Sequence, residues 1–261
     1  MTALASRRRH PIARAVLLVL GLVVTGLVYA AVEPGSANAA PKAADDVSGG
    51  HQVFLANCAS CHGVNGEGRD RVSPSLIGVG AAAVDFQVGS GRMPLVVGGP
   101  QAPKNTVLLT PEKISQLAAY VASLGSGPAI PAADVTDPTK GDASRGALIF
   151  RTNCAMCHGA VGKGGALTHG KYAPPLTGTT PTFIYEAMVS GPQSMPVFND
   201  NTIDPQSKRD VIAYLDDIQK APSPGGISLG GIGPVSEGLV AWLIGLALLI
   251  GCAVWLGAKA S

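Results

Sequence analysis

Hydrophobic positions along the 261-residue chain fall into two kinds of pattern. From Ala15 to Val32, and again from Leu239 to Leu256, they run almost without interruption, each run close to the length that spans a bilayer. Between the two runs they recur at helical spacing, as Ile114, Leu117, Ala118, Val121 and Leu124, and later as Val211, Ile212, Leu215 and Ile218. Each stripe has a legible start, Thr110 before Pro111 and Asp204 before Pro205, a capping side chain followed by proline at the first helical position. Gly125-Ser126-Gly127-Pro128 ends the first helix and Ala221-Pro222 the second. The chain is therefore predicted to be mainly α.

The two stripes close two copies of one longer pattern. The first copy runs Phe54, Asn57-Cys58-Ala59, Cys61-His62-Gly63, Pro74-Ser75-Leu76, Gly78, Ser90-Gly91, Met93-Pro94 and Ala119-Tyr120-Val121. The second runs Phe150, Asn153-Cys154-Ala155, Cys157-His158-Gly159, Pro174-Pro175-Leu176, Gly178, Ser190-Gly191, Met195-Pro196 and Ala213-Tyr214-Leu215. The order is the same and only the loop lengths differ. Each copy thus supplies a helix that presents the cysteines, a covering loop and a closing helix.

Each copy centres on Cys-x-x-Cys-His: Cys58-Ala59-Ser60-Cys61-His62 and, 96 positions later, Cys154-Ala155-Met156-Cys157-His158. Two thiols with two residues between them can reach the two vinyl groups of one haem and form thioethers, and the adjacent histidine is then held under the iron. A zinc ribbon would set its cysteine pairs about 15–20 residues apart. A thioredoxin-like pair would follow a strand, and no strand pattern precedes either pair. The motifs point to two covalently bound haem c groups.

The sixth iron ligand must come from the loop between the helices, where Met93 and Met195 occupy matching places after a Ser-Gly turn. A single methionine is more often core filler; matched methionines in two haem-binding repeats favour the ligand. The expected axial pairs are His62 with Met93 and His158 with Met195. A soft thioether favours reduced iron and raises the haem potential, which suits electron transfer. His169 is a weaker competitor for Met195, without a first-copy counterpart, while His51 is expected at the surface and His10 belongs to the basic N-terminus.

At 46% hydrophobic content the chain could fill one large domain or two small ones, and the repeat decides for two. Each is small for a self-sufficient apolar core, and buried haem would supply the missing mass. The division runs as a basic N-terminus with an apolar signal or anchor segment (1–40), a first domain (50–127), a Pro-rich connector (128–138), a second domain (139–221), a Gly/Pro-rich segment (222–235) and a transmembrane helix (236–258). The connector is short and stiff and should limit how far the domains separate, whereas the 222–235 segment should let them reorient.

The C-terminal run has no internal charge, carries Trp242 and Trp255 near its ends and leaves Lys259 beyond, as a membrane helix should. The N-terminal run follows Arg7-Arg8-Arg9, and Ala37-Asn38-Ala39 looks like a cleavage site, yet the run is longer than a usual signal core. A cleaved signal and an uncleaved anchor both stay open, giving a single-pass or a multi-pass protein. Either way the arginines stay cytoplasmic, the repeats reach the outer face of the cell membrane and Lys259 returns inside. Cys252 lies within the last apolar run and reads most simply as a small apolar residue, with lipidation as the minor alternative.

Charge is nearly balanced in both repeats, with five Lys and Arg against four Asp and Glu across 50–127 and eight against seven across 139–221. Long-range steering is not written in the net charge, and nucleic acid is not an expected partner. A permanent assembly with fixed partners fits better. No nucleophile–base pair, phosphate loop or metal–carboxylate cluster stands out, so the chain is expected to move electrons without a bond-making catalytic site of its own.

In this order of parts the whole chain resembles the dihaem cytochrome c (cytochrome cc) subunit of the actinobacterial cytochrome bc complex, the menaquinol–cytochrome c reductase. The resemblance implies two tandem class I-like cytochrome c domains with an N-terminal apolar segment and a C-terminal transmembrane helix. By position, Cys58, Cys61, His62 and Met93 would serve one haem, and Cys154, Cys157, His158 and Met195 the other. It further implies a cytochrome b subunit, a Rieske iron–sulfur subunit and a cytochrome aa3-type oxidase as partners, with electrons entering from the Rieske protein and leaving to the oxidase. The first domain is expected to face the oxidase and the second the reductase core. The competing class is a dihaem electron-transfer subunit of another membrane-associated dehydrogenase or reductase; matched methionines in both copies argue against a dihaem peroxidase.

Overall fold

The computed structural model describes residues 11–32, 42–220 and 234–260. His10, the arginines of residues 7–9, the Ala37-Asn38-Ala39 site and most of the 222–235 segment lie outside these residues. Helix α1 (Pro11–Val32) carries the first apolar run. Helix α10 (Pro234–Ala260) carries the last, and its stretch Gly238–Lys259 is long and apolar enough to cross a membrane. Lys259 Nζ lies 4.7 Å from the centre of the Trp255 ring, a cation held against an aromatic at the end of the span.

The first repeat is built from α2 (Lys42–Asn57), a single turn α3 (Ala59–His62), α4 (Gly80–Gly89) and the closing helix α5 (Pro111–Ser123). The predicted cap forms: Thr110 accepts from the Lys113 N–H, and Pro111 opens the helix. Ile114, Leu117, Ala118 and Val121 of the predicted stripe are all buried. They meet α2 where Gly50 lies against the Gln116 carbonyl, so closely that a Cβ at Gly50 would sit 1.9 Å from that oxygen. One turn on, the Phe54 and Tyr120 rings pack 5.2 Å apart.

The second repeat follows the same plan with α6 (Ala143–Asn153), the turn α7 (Ala155–His158), α8 (Pro181–Ser190) and the closing helix α9 (Pro205–Lys220). Gly146 meets the Asp210 carbonyl at the same 1.9 Å virtual Cβ distance, and Phe150 stacks on Tyr214 at 5.4 Å. Asp204 accepts from Ser207 N–H at 3.0 Å and caps α9. A two-residue antiparallel ladder, β1 (Gly165–Ala166) with β2 (Tyr172–Ala173), is an addition of the second copy.

Helices α4 and α8 stand where the periodicity indicates only covering loops. Their physical reason is their burial: Ala82, Val84, Phe86 and Val88 of α4 are buried, as are Ile184, Tyr185 and Met188 of α8, and a helix covered on more than one side shows no single apolar stripe. Each packs on the closing helix of its own repeat, and the two pack on one another. At their contact Phe86 and Phe183 meet edge to face at 5.9 Å, and Gly89 admits the Phe183 ring, which a Cβ would approach to 2.9 Å.

A second contact lies beside the first. The Gln101 amide pairs both ways with the Tyr172 backbone, donating to its carbonyl and accepting from its N–H, each at 2.9 Å. The connector is also laid down on both repeats: Ala82 N–H donates to the Pro128 carbonyl, Arg209 donates to the Asp134 carbonyl, and Val135 packs on the second core. Separation of the domains is therefore limited by direct packing and by the connector's bonds to both repeats.

The helix crossing is sensitive to one methyl group. Gly50→Ala in the first repeat, or Gly146→Ala in the second, should cost at least about 1–3 kcal/mol through overpacking against a rigid carbonyl. Gly49→Ala, whose Cβ meets only the flexible end of the Gln116 side chain, should be tolerated; thermal unfolding of the purified protein compares the three.

Candidate cofactor sites

Each Cys-x-x-Cys-His segment leaves its first helix through a sharp local rearrangement. The backbone N–H groups of Cys61 and His62 both donate to the Cys58 carbonyl, at 3.1 and 2.9 Å, and those of Cys157 and His158 to the Cys154 carbonyl at the same two distances. This winds one new turn after the helix and sets the two cysteines and the histidine at i, i+3 and i+4, neighbours on one face of it. Gly63 and Gly159 follow with φ of +78° and +74°, a conformation that turns the chain away at little cost only for glycine.

Both histidines are then oriented by the same kind of partner. His62 Nδ1 lies 2.9 Å from the Pro74 carbonyl, and His158 Nδ1 lies 3.0 Å from the Pro174 carbonyl. A carbonyl oxygen can only accept, so in each ring Nδ1 carries a hydrogen, and it is Nε2 whose lone pair the neutral tautomer offers to a metal. Burial holds His158 below the ordinary histidine pKa, with the Pro174 hydrogen bond acting the other way, which keeps the ring neutral.

The first cysteine of each motif is a thiol of low acidity. Burial, helped by the neighbouring cysteine, pushes Cys58 and Cys154 up to about 11. A redox pair needs the opposite, a thiolate stabilised near neutral pH. Among the described residues no group of three His, Cys, Asp or Glu side chains gathers as a protein-bound metal ion would need.

Two of the remaining predicted residues, Met93 and Met195, each share a core with the first cysteine of their own motif. Cys58 and Met93 pack against the core of the first repeat, along with Leu76, Val79 and Leu109; Cys154 and Met195 pack against the core of the second, along with Leu176. All of these are only partly covered by the chain. Partly covered apolar side chains on the same core as the first cysteine of each motif fit a flat apolar macrocycle carrying iron. His51 stacks on Tyr120 at 4.8 Å on the outer side of α2, and His169 is exposed in its loop at φ +58°.

Three buried charged residues of the second repeat escape the sequence motifs. Asp210 is fully buried and accepts from Arg145 Nε at 2.5 Å, the Asp142 N–H at 2.9 Å and Gln206 Nε2 at 2.8 Å, which ties the start of α6 to α9. Lys208, also fully buried, donates to Asp200 and to the Ile203 carbonyl and so pins the chain that follows Met195. Glu186 is the third. The available signal was the repeat itself: Lys208 stands where the first copy has Ile114, and Glu186 where it has Phe86.

A mainly helical fold with two Cys-x-x-Cys-His turns, each histidine fixed by a proline carbonyl, defines an electron-transfer protein of the cytochrome c class with covalently bound haem c. Comparison with known families agrees: the family described as Cytochrome c matches residues 47–125, and that described as Cytochrome C oxidase, cbb3-type, subunit III matches residues 141–215. Over nearly its whole length the chain is similar to curated proteins. It is 41% identical to the cytochrome bc1 complex cytochrome c subunit of Corynebacterium efficiens, over 96% of this chain and 90% of the relative. It is 42% identical to the protein of the same name from Mycobacterium tuberculosis, over 97% and 93%. A cbb3-type cytochrome c oxidase subunit of Sinorhizobium medicae is 34% identical over 45% of this chain. The chain belongs to the family of cytochrome bc1 complex cytochrome c subunits.

Proposed function

We propose that the chain is the membrane-anchored dihaem subunit of a respiratory quinol–cytochrome c reductase, carrying electrons from a Rieske iron–sulfur protein to a terminal cytochrome aa3-type oxidase. The observation that supports it most directly is the duplicated histidine–proline carbonyl pair, which prepares two imidazoles of the same tautomer in one chain. Haem c, when bound, supplies a reversible one-electron centre. Cys58 and Cys61 would hold one group and Cys154 and Cys157 the other, through thioethers. His62 and His158 would offer Nε2 to the iron, and Met93 and Met195 a thioether sulfur.

The proposed partners within the reductase are a cytochrome b subunit and the Rieske subunit, as the relatives' name suggests. We take the domains as 50–127 and 139–221, with the first toward the oxidase and the second toward the reductase core. The apolar helix α10 would anchor them, with the domains on the outer face and Lys259 inside. The partial likeness to a cbb3-type oxidase subunit keeps a second reading, a dihaem subunit of another membrane enzyme, but it covers less than half of the chain.

Replacing Cys58 and Cys61 together should leave about half of the covalent haem per chain, read by pyridine haemochrome absorbance; unchanged haem content would sink the attachment sites. Met93→Ala or Met195→Ala should lower the potential of one haem within the roughly 0.8 V that axial ligation spans and remove its sulfur-to-iron absorption band. An unaltered spectrum would mean that the methionine only packs. Mild-detergent purification through a tag on this chain should recover a cytochrome b, a Rieske protein and oxidase subunits, whereas recovery of a dehydrogenase would favour the second reading.

A further inference from the structure

We propose that Glu186 and Asp85 share a single proton across the contact between the two cytochrome domains, and that this proton holds α4 and α8 in register. The proposal goes beyond the haem assignments and does not depend on which domain faces donor or acceptor.

The geometry is unusual for two acids. Glu186 has no solvent exposure, and among the described residues no N–H or O–H donor reaches either of its carboxyl oxygens. The group it faces is another carboxyl, that of Asp85 on the opposite domain. Two carboxylates have only acceptors to offer, so a hydrogen bond between them exists only when one carries a proton and donates it to the other. An ionised, unpaired carboxylate in such a place is strongly disfavoured.

The two acids are not equivalent. Glu186 is fully buried and is the one pushed up, to about 9, by burial first and by the Asp85 charge second. Asp85 is partly exposed; burial raises it too, while accepting from a protonated Glu186 would pull it back down. The pair therefore holds one proton, on Glu186, and one negative charge, on Asp85, at neutral pH.

On the packed elements Arg209 donates through Nη1 and Nη2 to the Asp134 carbonyl and to Gln206, its buried Nε having no partner among the described residues, and three further charges are engaged elsewhere. Arg92 donates to Ser90 Oγ at 2.7 Å and lies over the Phe86 ring. Lys208 is held by Asp200 and the Ile203 carbonyl against the Tyr185 ring, and Asp210 is paired with Arg145. Phe86 and Phe183 wall the contact beside the acids.

The sign of the pH dependence follows. Separated domains would expose both acids to water, where carboxyls ionise near pH 4. The docked form therefore binds a proton that the separated form releases to bulk water. Docking is fully favoured below the ordinary carboxyl range, weakens as pH rises, and loses the proton once pH passes about 9. Two negative charges then oppose one another across the contact.

The full-length, haem-loaded chain in detergent gives two readouts. Infrared titration should show a protonated-carboxyl C=O band at pH 7 that disappears near pH 9 and is missing in Glu186→Gln. Hydrogen exchange of segments 80–89 and 181–190, corrected for intrinsic rates, should lose about tenfold or more in protection between pH 7 and 10. In Glu186→Gln, whose amide can still donate to Asp85, protection should stay level. Asp85→Asn should move the infrared midpoint to lower pH, since the charge that helps raise it is gone. Absence of the band at pH 7, an Asp85→Asn midpoint that does not move, or equal loss of protection in the wild type and Glu186→Gln would overturn the proposal.

Discussion

The contact on which both domains depend is the crossing of the first helix over the closing helix at a glycine. At Gly50 and again at Gly146 the backbone of one helix lies directly on a carbonyl of the other, a spacing that no side chain permits. Such an approach fixes both the distance and the rotation of the first helix. Because Phe54 and Cys58 follow Gly50 by four and eight residues, they lie about one and two helical turns further on, near the same face. The aromatic pairs Phe54–Tyr120 and Phe150–Tyr214 then lock that rotation. The thiols and histidines are aimed by a backbone contact well before any iron chemistry is involved.

From this shared frame the repeats diverge in where they place charge. The first copy fills its matching positions with Ile114, Phe86 and Gln116; the second has Lys208, Glu186 and Asp210, all without solvent exposure. Buried charge is costly unless paired, and two of the three are generously satisfied. Asp210 takes three donors and Lys208 two acceptors. Both networks tie together segments that border the candidate site, the start of α6 and the chain after Met195. They add geometric specificity where a hydrophobic side chain would only fill space.

Much of this was legible in the sequence. The cysteine and histidine positions, the capped closing helices and the terminal apolar helix are local signals, each contained within about 25 residues, and the repeat let each be checked against its copy. Helices α4 and α8 were not legible as helices because they are buried on more than one side, which erases the amphipathic period. Lys208 lies before the apolar stripe that begins at Val211, its partner Asp200 lies in a loop, and its role depends on tertiary packing. The pairing of Asp85 with Glu186 joins residues 101 positions apart and belongs to a domain contact that no periodicity encodes.

That contact changes what kind of electron carrier the chain can be. Two domains tethered only by the 128–138 connector would sample many separations, and transfer between their haems would be gated by encounter. Here edge-to-face rings, the two-way Gln101–Tyr172 pairing and a connector bonded to both domains remove most of that freedom. The near balance of charge in each repeat fits the same view, because long-range steering serves partners that must find one another through solution. In this chain the meeting of the two domains is built into the fold. Transfer between haems held in the two domains would then run across a fixed spacing, and the side chains that hold that spacing would matter to function alongside those that would hold the iron.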